Sequence, residues 1–397
     1  MLVRKLAVEV DPKSWGRRRV PLWLGGSSST HNMDLGKALL MLGTLTLPGL
    51  ISSASPARFW AWVRYFLSIA DDDDFRITRD FSELDPHQKG ILSDDLGVAL
   101  STQWLFDRLG GFKSILDGRH FMLQFPELLQ TKTKAPTAKV GPSKAPDYVI
   151  LDKSGRWHVL ECKGTQSGPG FRDKFLKDAL SQKQVVQING QIRGERLAAG
   201  LSISHEDQYR DSSLRIVDPE IEPVLTLEAS QASEIKSKAH RLSVAGALGM
   251  VGLSEVAAEF SLPPNVLEAK EYLQRVERRR ARATTATRNR RAASQLRARE
   301  LPHLEFRSRT YEGRRITFDF PELGARSPFN AIVVQQGVDA DLLRELSASP
   351  SFFSDVIDAR IDERLSNSTV AIESDELRTT LTYDEVLFSE IIFKKKY

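Results

Sequence analysis

Pro146-Asp147-Tyr148-Val149-Ile150-Leu151-Asp152-Lys153-Ser154-Gly155-Arg156-Trp157-His158-Val159-Leu160-Glu161-Cys162-Lys163 reads as two apolar runs on either side of an Asp…Gly turn, the pattern of a β-hairpin. With Lys153-Ser154-Gly155 as a three-residue loop and its glycine left-handed, Asp152 pairs with Arg156, and counting outward sets Asp147 opposite Glu161. Side chains alternate along a strand, so Glu161 and Lys163 share one face while Leu160 and Cys162 turn to the other. Two carboxylates and one ammonium are therefore expected at one point. Oxygen ligands on rigid strands suit a hard cation such as Mg²⁺, which keeps several waters for substrate and nucleophile. A lysine beside it can orient or deprotonate the attacking water and offset charge on a phosphorane-like transition state.

Around the hairpin the pattern alternates. A helix over Ser93 to Leu109, extended segments near His120 to Leu123 and a Pro- and Lys-rich loop from Thr131 to Lys144 precede it. A helix within Arg172 to Asn189 and strands over Leu197 to Ser204 and Leu214 to Val217 follow. Helix, hairpin, helix, strand makes a compact α/β core.

The hairpin resembles the motif of the PD-(D/E)xK nuclease superfamily, in which a Pro-Asp pair begins one strand and Glu-x-Lys ends the next. Pro146, Asp147, Glu161 and Lys163 match that motif position by position, with thirteen residues between Asp147 and Glu161. The resemblance covers roughly residues 80–220, a small domain. It implies a restriction-endonuclease-like mixed sheet flanked by helices. It also implies that Asp147 and Glu161 bind Mg²⁺ or Mn²⁺ with the carbonyl of Cys162, and that Lys163 assists the nucleophile. Such enzymes often add an acid from the helix before the hairpin. Here Ser93 reads as an N-cap with Asp94 and Asp95 in the first turn, and Asp95 is taken as the third ligand, although the family's usual glutamate is absent at this point. Acids in a first turn also stabilise the helix dipole without any chemistry. Related enzymes often place a polar residue from the next helix near the scissile phosphate, and Gln184 or Gln187 fits that place.

The chain of 397 residues, 41 % hydrophobic and 27 % charged, is long enough for two or three domains with real cores. Residues 1–74 read as an N-terminal helical region, with Leu35 to Leu45 and Pro56 to Ile69 as its segments; residues 75–228 as the nuclease-like core; residues 229–300 as a helical, arginine-rich arm; and residues 301–397 as a C-terminal α+β domain. In that last part, strands over Arg307 to Tyr311 and Arg314 to Phe320 flank a Glu312-Gly313 turn. The arm concentrates positive charge at Arg278, Arg279, Arg280, Arg282, Arg290 and Arg291, the expected contact with a polyanion, though a linker pairing with acidic patches would look alike. The net charge of +4 adds little to this.

Several classes are excluded. One cysteine, Cys162, leaves no internal disulfide and no cysteine-based zinc site. The seven histidines show no His-x-x-x-His pair, and no glycine-rich phosphate loop is present. Residues 1–20 carry Glu9, Asp11, Pro12 and the Arg17-Arg18-Arg19 run before any apolar core, so no secretory signal is read, and no membrane partner and a cytoplasmic address are expected. The expectation is a Mg²⁺-dependent endonuclease acting on DNA before RNA, with a homodimer and partner proteins of a prokaryotic defence, restriction or mobile-element system as its assembly. Two rivals stay open: a nucleic-acid-binding scaffold with a non-catalytic nuclease fold, and a subunit active only in a complex.

Overall fold

A computed structural model of the chain describes residues 2–45, 65–125, 145–183, 186–218, 225–262, 283–319, 329–349, 351–352, 354–366, 368–383 and 386–395. Strands β1 (Val3–Val10) and β2 (Ser28–Asp34) form an antiparallel hairpin that runs directly into helix α1 (Leu35–Leu45). Helix α2 (Pro86–Leu109), β3 (Phe112–Asp117) and α3 (Gly118–Leu123) come next. The central hairpin is β4 (Tyr148–Asp152) and β5 (Trp157–Thr165), followed by α4 (Pro169–Lys183), β6 (Val186–Ile188), β7 (Arg193–Ser202), β8 (Ser213–Val217) and β9 (Leu225–Leu227). Helices α5 (Ala232–Met250), α6 (Ser254–Ser261) and α7 (Thr285–Arg297) lead to β10 (His303–Phe306), β11 (Arg309–Asp319) and β12 (Phe329–Asp339). The last described elements are α8 (Ala340–Ala348), α9 (Asp355–Leu365), β13 (Val370–Ser374), β14 (Arg378–Tyr383) and β15 (Leu387–Lys395).

The architecture is mixed α/β around one large mixed sheet, in the order β10-β11-β12-β15-β14-β13-β3-β4-β5-β7-β8-β1-β2. Its two halves meet at a single residue pair, Val370 with Phe112. In the half that holds the central hairpin, β5–β7 and β1–β8 are parallel and the remaining pairs antiparallel. One face of this half, with Ile150, Leu160, Cys162, Ala199 and Leu201, packs on α1 and α2. The other face, with Val149, Leu151, Trp157 and Val159, packs on α3, α5 and the small parallel pair β6–β9. Among the described residues no helix is long and apolar enough to cross a membrane.

The structure departs from the sequence reading in four places. The described part of the N-terminal region is not all helical: Leu35–Leu45 is a helix, but Val3–Val10 and Ser28–Asp34 are strands and β1 joins the central sheet beside β8, while most of the expected helix Pro56 to Ile69 lies outside the described residues. Leu6, Val8 and Val10 do alternate inward, but the preceding inward position is Arg4, whose guanidinium is satisfied by the Ala70 carbonyl and Asp71. Residues near His120 are helical rather than extended, since the Asp117 side chain accepts from the His120 amide and caps α3. Helix α2 starts at Pro86, with Asp85 as its cap on the His87 and Gln88 amides, so Ser93 is no N-cap and instead returns its hydroxyl to the Lys89 carbonyl. That early stretch projects into solvent and so lacks the apolar periodicity that marks a helix. Finally, Glu312-Gly313 lies inside β11, and the chain reverses at Arg307-Ser308, both at positive φ (49° and 62°). Neither is glycine, so nothing in the sequence advertised the turn.

Candidate active site at the end of the central hairpin

The hairpin adopts the counted register. The Asp152 amide donates to the Arg156 carbonyl (2.9 Å), Gly155 donates back to Asp152 (3.1 Å) with φ at +84°, and Tyr148 pairs with Leu160. Asp147 thus falls opposite Glu161. Its amide donates to Glu161 Oε2 (3.1 Å), while its own Oδ2 accepts from the Cys162 amide (2.7 Å). Lys163 Nζ donates to Glu161 Oε1 (2.6 Å). The three residues expected to carry chemistry form one hydrogen-bonded group.

Its electrostatics are strained in one direction. Glu161 is 1 % exposed, and burial, together with the Asp147 charge, pushes its carboxyl up to about 8 against the pull of Lys163. Burial also raises Asp147, only partly offset by Lys163 and the Cys162 amide. Burial opposes the Lys163 ammonium, but Glu161 and Asp147 outweigh it and raise its pKa, so the amine carries its proton at neutral pH. More acids are gathered here than one lysine can hold ionised, and Glu161 answers by keeping its proton.

Helix α2 brings a further acid, Asp94, beside the expected Asp95. Asp95 is engaged by the Tyr65 hydroxyl. Asp94 accepts from the Gly164 amide and feels the Lys163 charge, and burial raises its pKa. One helical position turns a side chain by roughly 100°, which separates the two roles. The helix reaches β5 through bare backbone: a Cβ on Gly164 would lie 1.7 Å from the Ser93 carbonyl oxygen, and one on Gly97 2.8 Å from the Lys163 carbonyl carbon. Gln166 closes the contact by donating to Ser93 Oγ (3.3 Å). Sequence reading also missed Asp117, at the end of β3, whose charge raises the Asp147 pKa. It has no motif of its own, and only the β3–β4 pairing brings it near.

A divalent cation fits the chemistry of these donors. The Cys162 thiol is buried on the opposite face. Its carbonyl, however, shares the direction of its amide, which points at Asp147, because a strand residue sends both groups to one side. Two carboxylates and a carbonyl suit Mg²⁺, which takes one or two protein acids and retains water. Among the described residues no three His, Cys, Asp or Glu side chains form a ready-made metal cluster.

The other expected contacts divide. Gln184, Arg278, Arg279, Arg280 and Arg282 lie outside the described residues. Gln187 is on β6, where it donates to Asn189. Arg290 and Arg291 are exposed on α7, a helix without a single acid, whereas Arg288 turns inward to a buried ion pair with Glu259. No protein-family model, no curated protein and no solved structure matches this chain.

Proposed function

We propose that this protein is a metal-dependent nuclease that hydrolyses phosphodiester bonds, with Asp147, Glu161 and Lys163 as its catalytic residues and DNA as its substrate. The observation that carries the reading is the convergence of those three groups at the open end of the β4–β5 hairpin, with Glu161 pushed to about 8. Titratable groups displaced this far by burial and a like charge are characteristic of reacting centres.

A Mg²⁺ or Mn²⁺ ion supplies Lewis-acid polarisation of phosphate and water when bound. Asp147, Glu161 and the Cys162 carbonyl are the groups to hold it, with Asp94 facing them from α2. Lys163 is a proton-bearing donor, raised rather than lowered in pKa, so it orients water and neutralises charge growing on the phosphate instead of serving as the base. The acid-free exposed face of α7 suits sequence-blind contact with the backbone of the substrate.

The test is incubation of plasmid, linear and single-stranded DNA, and RNA, with Mg²⁺ or Mn²⁺ and with EDTA. Metal-dependent product is expected, and Asp147→Ala and Lys163→Ala each remove it. Cleavage that survives either substitution sinks the assignment. Salt-sensitive binding without product under any metal favours the scaffold reading instead.

A further inference from the structure

Among the described residues six large apolar side chains are exposed: Val3, Leu22, Ile91, Phe171, Tyr209 and Val356. Three of them gather at the catalytic end of the sheet. Strands β5 and β7 run parallel with Thr165 beside Ser202, so whatever follows each strand emerges on the same edge, two residues beyond Lys163. Phe171 lies in the first turn of α4, just after β5, and is 52 % exposed; Tyr209 lies between β7 and β8 and is fully exposed. The two segments touch. Arg172 donates to Ser213 Oγ (2.8 Å), and the Arg210 guanidinium lies so close over Gly168 that a Cβ there would meet it at 2.5 Å. Ile91 approaches from α2, whose next residues cross β5 at Gly164.

Packing explains this rim only in part: the Phe171 ring meets Phe175 at 6.4 Å on one side yet leaves half of itself in solvent, and Tyr209 is fully exposed. Its acids are engaged away from the rings: Asp211 shares Arg76 with Asp72, Asp207 lies 3.9 Å from the Arg79 that also pairs with Glu83, and Glu206 accepts from the Arg79 amide. Arg210 bonds only the neutral side chains of Ser204 and Gln208. What remains at the edge is aromatic rings, one guanidinium beside them and the exposed Lys174 of α4. An exposed ring gains most by covering another flat face, and in a duplex the faces of the bases are already covered by their neighbours. Only bases outside a helix offer them.

We propose that the rim binds unpaired nucleotides, so that the strand reaching Lys163 is single-stranded or locally opened, with the Phe171 and Tyr209 rings stacking on bases that flank the scissile phosphate. The proposal rests on the reading of the Asp147 site as one that faces a phosphodiester. Base and sugar identity are left free, because every base has a π-face.

The experiment measures binding of the full chain, in EDTA so that no turnover intervenes, to labelled strands of about 20 nucleotides: oligothymidylate, oligouridylate, an abasic DNA strand and a blunt duplex. Wild-type protein is expected to prefer the unpaired strands to the duplex. Phe171→Ala and Tyr209→Ala each lower that affinity roughly 5- to 100-fold, Phe171→Trp restores it, and duplex and abasic binding do not move. Ring dependence on either the deoxyribose or the ribose strand supports the proposal and names its sugar. Alanine variants that bind unpaired strands like wild type, or lose as much on the abasic strand, overturn it. Both rings are exposed, and an unchanged thermal midpoint confirms that the variants fold. Ring-dependent binding without cleavage in Mg²⁺ counts against the nuclease reading alone.

Discussion

The two ends of one hairpin bury a carboxylate each and treat it in opposite ways. At the turn, Asp152 is 2 % exposed and fully answered: Ser154 Oγ (2.7 Å) and the Arg156 amide (2.8 Å) serve one oxygen, His158 Nε2 (3.1 Å) and Arg156 Nε (3.2 Å) the other. Burial works against its charge, yet these donors hold it well below the usual carboxylate range. The Glu195 amide donates to His158 Nδ1 (3.0 Å), which leaves the proton on Nε2, facing Asp152. At the open end Glu161 is equally buried but stands beside another acid, and its proton is held up to about pH 8. The same strands therefore contain a satisfied anion that fastens the turn and a frustrated acid that keeps its proton where a cation could take its place. Structural and chemical roles of a buried acid are told apart by its donors rather than its depth.

That contrast breaks if the open end proves inert. Lys163→Ala and Asp147→Ala are expected to lower the rate of strand cleavage by at least roughly 100-fold with little change in thermal midpoint, as removal of a preorganised charge at a reacting centre does. Asp152→Ala should do the reverse. It strands His158, which is 1 % exposed, and costs about 3 kcal/mol in denaturant unfolding while leaving the chemical step unchanged in the folded fraction.

Glu161→Gln sharpens the comparison further. The folded protein keeps the Glu161 proton up to about pH 8, while the unfolded chain releases it near the ordinary value of 4.5. Stability contributed by that proton is therefore lost as pH rises between the two, at ~1.4 kcal/mol per unit. The metal-free wild type should weaken by about 2 kcal/mol between roughly pH 6 and 8, Glu161→Gln should not, and Mg²⁺ should restore the wild type. A flat wild-type profile would remove the frustrated acid. Asp152 has the opposite sign: its stabilisation is complete above the unfolded value and disappears only as pH falls through its lowered folded value. The smallest effect is expected from Arg290→Ala and Arg291→Ala, which should each reduce the salt dependence of DNA binding by about one phosphate contact without altering cleavage chemistry.

The site was legible in the sequence where its geometry is local. Strand alternation and the left-handed Gly155 are enough to place Asp147 against Glu161, because a three-residue loop leaves no freedom in the register. Asp95 was singled out, and Asp94, the acid of α2 that meets Gly164, was not, because the phase of α2 is set by contacts with β5, far away in the chain, and by a capped start at Asp85 that an exposed, aperiodic first turn concealed. Asp117 was invisible for the same reason. Strand β1 carried its alternation openly, but the inward Arg4 broke the apolar pattern. Strands β13 to β15 were passed over altogether, since their inward positions are filled in part by Thr379, Thr380, Ser389 and Glu390, polar residues that only the neighbouring strands and side chains satisfy.

The contact of Gly97 with the Lys163 backbone and of Gly164 with Ser93 works as a spacer of zero thickness. It sets how far one carboxylate hangs above the amine, without contributing any reactive atom of its own. A single added methyl group would lift the whole helix like a shim under a lens mount, throwing Asp94 out of focus while every group on the strands stayed where it was.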